Sequence, residues 1–149
     1  MAQISVTVPR QISAPADTVY QCIADYQHHH GKWLPPEYSK YRTEEADQPG
    51  QVLVLYHLKT GRRERDYSMR ISEPERGRTI QEADTASSLV KTWTVEPAGS
   101  KTRVSIDTRW QGSGGIGGFF ERTFAPRVLT ALYADELARL DTYAREQAR

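Results

Sequence analysis

Residues 112–118 read Gly-Ser-Gly-Gly-Ile-Gly-Gly, and from Phe119 to Arg149 the chain continues as one amphipathic stretch. Most of what precedes it alternates apolar and polar residues, as antiparallel strands do. A strand-rich chain that closes on one long helix must bury an apolar sheet face and an apolar helix stripe together. The sheet is therefore expected to curve and grip the helix. Such an arrangement leaves room between its layers, so a small-molecule pocket is the first functional expectation.

The closing element constrains itself further. As one straight helix, residues 119–149 would run about 45 Å at 1.5 Å per residue. Pro126 has no amide to donate, and its ring would clash with the carbonyl of Arg122. Either the helix kinks there, or Pro126 starts the main helix after a short lead-in at 117–124. Beyond Pro126 the residues Leu129, Leu132, Tyr133, Leu137, Leu140 and Tyr143 form one stripe. Arg139, Arg145 and Glu146 face away from it.

At the other end, Ile4, Val6, Val8 and Ile12 mark a strand with one buried face. Pro9 cannot donate to a ladder, which places this strand at an edge or puts a bulge in it. Pro15 suits the first turn of a helix over about 15–27, with Val19, Tyr20, Ile23 and Tyr26 at helical spacing. A short turn or helical scrap follows at Trp33-Leu34-Pro35-Pro36. Six strands are then expected at about 38–46, 50–60, 62–74, 78–86, 88–97 and 101–111. Thr60-Gly61 makes a tight hairpin, and Pro49-Gly50, Arg76-Gly77 and Ala98-Gly99 mark other joints. No repeat or linker divides residues 1–149, so a single domain is expected.

Bulk properties exclude several classes. Lys+Arg 20 against Asp+Glu 19 gives a net charge of +1 and no electrostatic footprint for nucleic acid or an anionic membrane. No apolar run approaches the roughly 20 residues needed to span a bilayer. Cys22 is the single cysteine, so no intrachain disulfide forms. With no signal-like start, a cytoplasmic protein is expected. The sequence is compatible with a homodimer.

The order strand, helix, short helix, six strands, glycine-rich loop, long helix resembles the START-like (SRPBCC) helix-grip superfamily. It is most similar to the bacterial polyketide cyclase/dehydrase and lipid-transport family. Ile12, Ala14, Pro15, Val19, Tyr20, Ile23, Asp25, Trp33 and Pro35 fit that family's opening pattern. The run from Gly115 into the Pro126-containing helix resembles its ending. The resemblance implies an α+β helix-grip fold: a curved seven-stranded antiparallel sheet around a long C-terminal helix, with two short helices after the first strand. It implies Trp33 as a plug at one end of the sheet. Its members range from cyclases to lipid carriers, so the fold does not choose a function.

Candidate site residues come from strand phase. Arg65, Tyr67, Met69 and Ile71 share one face, as do Leu89, Lys91, Trp93 and Val95. Val104, Ile106, Thr108 and Trp110 share another, and Tyr56 lies with Val52, Val54 and Leu58. A pocket lined by Trp33, Tyr56, Tyr67, Met69, Trp93, Thr108 and Trp110 would suit a planar or lipid-like ligand. The alternative is that these aromatics fill the core. Phe120 and Phe124, beside the glycines, would form a greasy lid on a glycine hinge.

Three residues are candidates for catalysis. Glu136 falls within the helix stripe, where it would act as an acid/base or ligand anchor with Arg65 or Lys91 as partner. If the helix phase is one position off, it lies on the surface near Arg139 or Arg127 instead. Arg65 and Tyr67 could together steady an enolate. The charged hairpin end Arg62-Arg63-Glu64-Arg65-Asp66 favours a solvated Arg65 instead. His28-His29-His30 cannot converge on one metal ion from a helix, where successive residues point about 100° apart, and reads as an exposed helix end. No metal or cofactor is implied.

The functional expectation is binding of a hydrophobic small molecule, whether polyketide, isoprenoid or lipid-like. A polyketide cyclase or dehydratase acting on a poly-β-carbonyl or aromatic substrate is the alternative, since proximity supplies much of such a rate. An interaction module with a filled core is a third reading, and it would need a large exposed apolar patch.

Overall fold

The structure, a computed structural model, describes residues 3–112 and 125–149. The chain runs β1 (Gln3–Ile12), α1 (Ala16–Ala24), a single 3-10 turn (His30–Lys32), β2 (Tyr38–Glu45), β3 (Val52–Thr60), β4 (Arg63–Glu75), β5 (Thr79–Asp84), β6 (Val90–Ala98), β7 (Lys101–Gln111) and α2 (Ala125–Gln147). The seven strands form one antiparallel sheet in the order β1-β7-β6-β5-β4-β3-β2. Only the β1–β7 pairing joins strands distant in sequence. The sheet curves around α2 as a helix-grip fold, and α2 packs on β1 and α1.

Strand boundaries match the hydrophobic pattern closely, because four of the five turns between β2 and β7 carry a glycine, at Gly50, Gly61, Gly77 and Gly99. The β3–β4 loop has two residues, Gly61 and Arg62. Gly61 takes φ +62 and Arg62 does not, the arrangement of a hairpin turn with glycine in its first central position. Pro9 lies on an edge strand, as its missing donor requires.

The helices differ from expectation in number and limits: of the two short helices expected after β1 only α1 forms, and in place of a helical scrap at 33–36 there is the 3-10 turn His30–Lys32. Pro15 is the extended N-cap of α1, with ψ 151, rather than part of its first turn. The helix stops at Ala24, three residues early. Asp25 leaves helical geometry, and its carbonyl accepts from the amides of both His29 and His30. This releases Tyr26 and His30 to turn inward. Pro126 is the second residue of α2, where its lack of an amide costs little. The short lead-in expected at 117–124 lies outside the described residues.

Register fixes which side chains share a depth beneath α2. Glu82, Lys91, Thr108 and Val6 stand in one row across β5, β6, β7 and β1. Ile80, Trp93, Ile106 and Val8 form the row below, and all four are buried. On α2, Leu132, Tyr133, Glu136, Leu137, Leu140 and Ala144 face them and are buried.

Asp141 ties α2 to the sheet. Its carboxylate accepts from the Ser13 amide at 2.9 Å and from Arg10 Nη2 at 3.2 Å, with Arg145 Nε 3.6 Å away. Asp141→Ala is expected to cost about 1–3 kcal/mol by orphaning a backbone donor. Arg139→Ala, which breaks only the exposed pair with Asp135, should stay within about 0.5 kcal/mol. Urea denaturation compares the two; equal midpoints would contradict the anchoring role.

Candidate functional site

Two features occupy the space between sheet and helix: a buried charge cluster, and an open cleft above it at one end of the sheet.

The cluster centres on Lys91, 3% exposed. Its Nζ lies 3.1 Å from both oxygens of Glu136, which is completely buried on α2. The phase of α2 therefore turns Glu136 inward, and of the two expected cations Lys91 is its partner. The Tyr38 hydroxyl stands 3.5 Å from both Lys91 Nζ and Glu136 Oε2. The ammonium also sits over the rings of Tyr133, 4.6 Å from its centroid, and Trp93, at 4.9 Å. The Tyr133 hydroxyl meets Thr108 Oγ1 at 2.8 Å.

Beside Lys91 on β5, Glu82 is 2% exposed. Its Oε2 accepts from Trp93 Nε1 at 2.7 Å and from the Tyr26 hydroxyl at 2.8 Å. His30 stacks on Tyr26 with ring centroids 4.1 Å apart, and its Nδ1 is 2.7 Å from the carbonyl of Ile23. Its Nε2 is 4.0 Å from Glu82, too long for a hydrogen bond.

One ammonium thus faces two carboxylates, and the environments of the two differ. Burial opposes the charge of Glu82, but Lys91, His30 and the donors Trp93 and Tyr26 outweigh it and hold the group below its usual range. Glu136 also accepts from two groups, Lys91 and the Tyr38 hydroxyl, but the hydroxyl stands off at 3.5 Å. Burial raises it to about 7, against the pull of Lys91 and with added repulsion from Glu82. Burial also works against Lys91, yet its two carboxylates keep it charged, above its ordinary value. Burial lowers His30 to about 4, so its imidazole is neutral. The phenols of Tyr26, Tyr38 and Tyr56 are pushed up by burial and remain donors. The outcome is one carboxyl, Glu136, placed to gain or lose a proton near neutrality next to a fixed cation.

The cleft measures about 1370 Å³. Leu58, Tyr67, Leu89, Trp110, Val128 and Leu129 give it apolar walls, and Thr60, Arg62, Arg63, Arg65, Ser87 and Ser88 line its polar parts. Leu89, just ahead of β6, precedes Lys91 by two, Trp110 follows Thr108 by two on β7, and Leu129 lies one turn before Tyr133 on α2. The charge cluster therefore lies one layer beneath the cleft.

Among the pocket residues expected from sequence, Tyr67 and Trp110 line this cleft. Tyr56 stacks on Tyr67, with centroids 5.5 Å apart, and is buried with Met69, Trp93 and Thr108 in the layers below. Trp33 is 4% exposed at the far end, donates to the Cys22 carbonyl at 3.0 Å, and meets Trp93 edge to face. Phe120, Phe124 and the glycine hinge beyond Gly112 lie outside the described residues.

Two expectations need correction. Arg65 is not simply solvated: its Nη1 donates to Asp84 at 2.7 Å, and its guanidinium lies 4.3 Å from the Tyr67 centroid. Asp84 also accepts from Ser87 Oγ and the Ala86 amide, which fixes it as a receptor for Arg65. The three histidines do not form an exposed helix end. His28 pairs with Asp25, His29 Nδ1 meets the Tyr143 hydroxyl at 2.6 Å, and His30 is core. Among the described residues no group of His, Cys, Asp and Glu is placed to hold a metal ion.

Sequence reading missed Glu82, Asp84, Tyr26, Tyr38 and His30. Ile80 is the single large apolar residue of β5, too little to phase a strand by itself. Pairing with β6 supplies the phase, because an inward Lys91 opposite Glu82 forces Glu82 inward.

A family model described as polyketide cyclase / dehydrase and lipid transport matches residues 3–145. The solution structure of the KanY protein superposes with a TM-score of 0.83 at 36% identity, over 97% of this chain and 99% of that one. The aromatase/cyclase Zhui from Streptomyces sp. R1128 gives 0.81 at 16% identity, over 99% and 97%. A START superfamily protein from Mycobacterium smegmatis gives 0.76 at 11%, over 96% and 98%. At their low identities these last two share the fold alone. No curated protein sequence matches the chain. Among the described residues no helix is long and apolar enough to cross a membrane.

The proton on Glu136 has a consequence for stability. An unfolded chain releases it near the ordinary glutamate value of about 4.3; the folded protein keeps it to about 7. Its contribution is full below the unfolded value and is lost as pH rises through about 7. The urea midpoint of the wild type should therefore fall relative to Glu136→Gln between about pH 5 and about pH 7.5. A difference that stays constant across that window would mean Glu136 ionises normally.

Proposed function

The chain belongs to the polyketide cyclase / dehydrase and lipid transport family, and from that premise we propose that it binds a hydrophobic small molecule between the concave face of the sheet and α2. The ligand is of polyketide, isoprenoid or lipid-like type. The observation that carries this reading is the cleft itself: about 1370 Å³, walled by aromatic and aliphatic side chains, with a few polar groups at its edge. Val128 is the one exposed large hydrophobic among the described residues, and it lines this cleft. An interaction module would need an apolar patch elsewhere.

A second reading is supported by Glu136 and Lys91. In a cyclase, the Glu136 carboxylate would take a proton from a methylene flanked by two carbonyls. Lys91 would steady the enolate oxygen. The enolate carbon would then bond to a second carbonyl carbon of the same chain, and that oxygen would recover the proton from Glu136. Loss of water would complete an aromatic ring. Zhui, which shares this fold, is an aromatase/cyclase. Because both residues are buried, a substrate reaches them only if the cleft floor shifts.

Native mass spectrometry of the protein purified from its own host is expected to show a retained hydrophobic molecule. N-phenyl-1-naphthylamine should bind the emptied protein, and Leu129→Trp, which narrows the cleft at its helix wall, should weaken it at least about tenfold. A clean protein that ignores the probe would overturn the binding reading. For the cyclase reading, Glu136→Gln should abolish ring formation from a poly-β-carbonyl substrate while leaving its Kd unchanged.

A further inference from the structure

The concave face of β4 changes character with depth. Arg63, Arg65, Tyr67 and Met69 alternate onto it, exposed at the hairpin and buried at the far end. Their partners on β3 follow the same order: Thr60 opposite Arg63, Leu58 opposite Arg65, Tyr56 opposite Tyr67, Val54 opposite Met69. The wall of the cleft therefore runs from charged rim to aromatic floor within one strand.

Among the described residues the rim carries a surplus of positive charge. Arg65 is committed to Asp84, 2.7 Å away, and adds no net charge. Glu64 also stands at the rim, 3.4 Å from His57 Nε2, whose Nδ1 lies 2.8 Å from Asp66; its one negative charge leaves the two arginines in excess. Among the described residues, neither Arg62 nor Arg63 has a carboxylate partner. Both residues line the cleft, Arg62 in the two-residue turn and Arg63 next to it as the first residue of β4. A guanidinium recognises carboxylate, sulfate and phosphate oxygens through paired donors.

We propose that the ligand of this cleft is an amphipathic anion. Its chain or ring system lies on Leu58, Tyr67, Leu89 and Leu129, and its anionic group is held at the rim by Arg62 and Arg63. This rests on the cleft-binding reading above and adds the charge of the ligand to it. Because both arginines are exposed, the attraction weakens with salt.

Two probes that differ only by a sulfonate test it: 1-anilinonaphthalene-8-sulfonate and N-phenyl-1-naphthylamine. The wild type should prefer the sulfonate by about tenfold at low salt. Arg62→Gln with Arg63→Gln should erase that preference and leave the neutral probe within about twofold. Displacement by dodecanoate and by dodecyl phosphate, each against dodecanol, tells which anion is preferred. Equal affinity of the two probes, dodecanol displacing as well as both anions, or a preference that survives in the double variant overturns the inference and leaves cleft binding intact. Loss of both probes in the variant also overturns it, since the arginines would then shape the cleft rather than read charge. If neither probe binds the wild type, the cleft reading fails and takes this inference with it.

Discussion

Lys91 keeps its charge in the interior, between Glu82 on the next strand and Glu136 on α2. An ammonium in such a place persists only with carboxylates, other acceptors and aromatic faces closed around it. The closing residues come from separated parts of the chain: Tyr26 after α1, Tyr38 at the start of β2, Trp93 on β6 and Tyr133 on α2. Helix phase, strand register and the early end of α1 must all be correct for the charges to be satisfied. No buried side-chain N or O atom among the described residues lacks a hydrogen-bond partner. The cluster thereby specifies one arrangement of helix on sheet, in addition to any chemistry it performs.

Above this layer the character changes over a few residues. One strand carries arginines at the hairpin, a tyrosine at the cleft floor and a methionine in the core. Cleft and cluster share α2 as their common wall, with Leu129 in the first and Glu136 in the second. A molecule entering at the arginine rim meets apolar surface first, and the charged pair only if the floor opens. Binding without reaction needs the upper layer alone, and chemistry needs both.

Much of this was legible in sequence, where period and turn chemistry agreed. The alternation Val104, Ile106, Thr108, Trp110 put β7 in phase without help, and the stripe after Pro126 did the same for α2. Glu136 was visible as a charge inside an apolar stripe, but its burial depended on a phase that Pro126 left open. His30 was unreadable because its position depends on α1 ending at Ala24, which no local signal marks. Glu82 and Asp84 lie on a strand with too few apolar residues to show its own face. Arg65 looked solvated because its partner, Asp84, is nineteen residues away on the next strand.

The most direct test is where a hydrophobic molecule sits. With methyl-labelled leucine and valine, nuclear Overhauser contacts from bound N-phenyl-1-naphthylamine should reach Leu58, Leu89 and Leu129 in the cleft. Contacts to those methyls, with none to Val90 on the outer face of the sheet, are the result expected. A probe that touches Val90 and leaves the three leucines silent would contradict binding between sheet and helix.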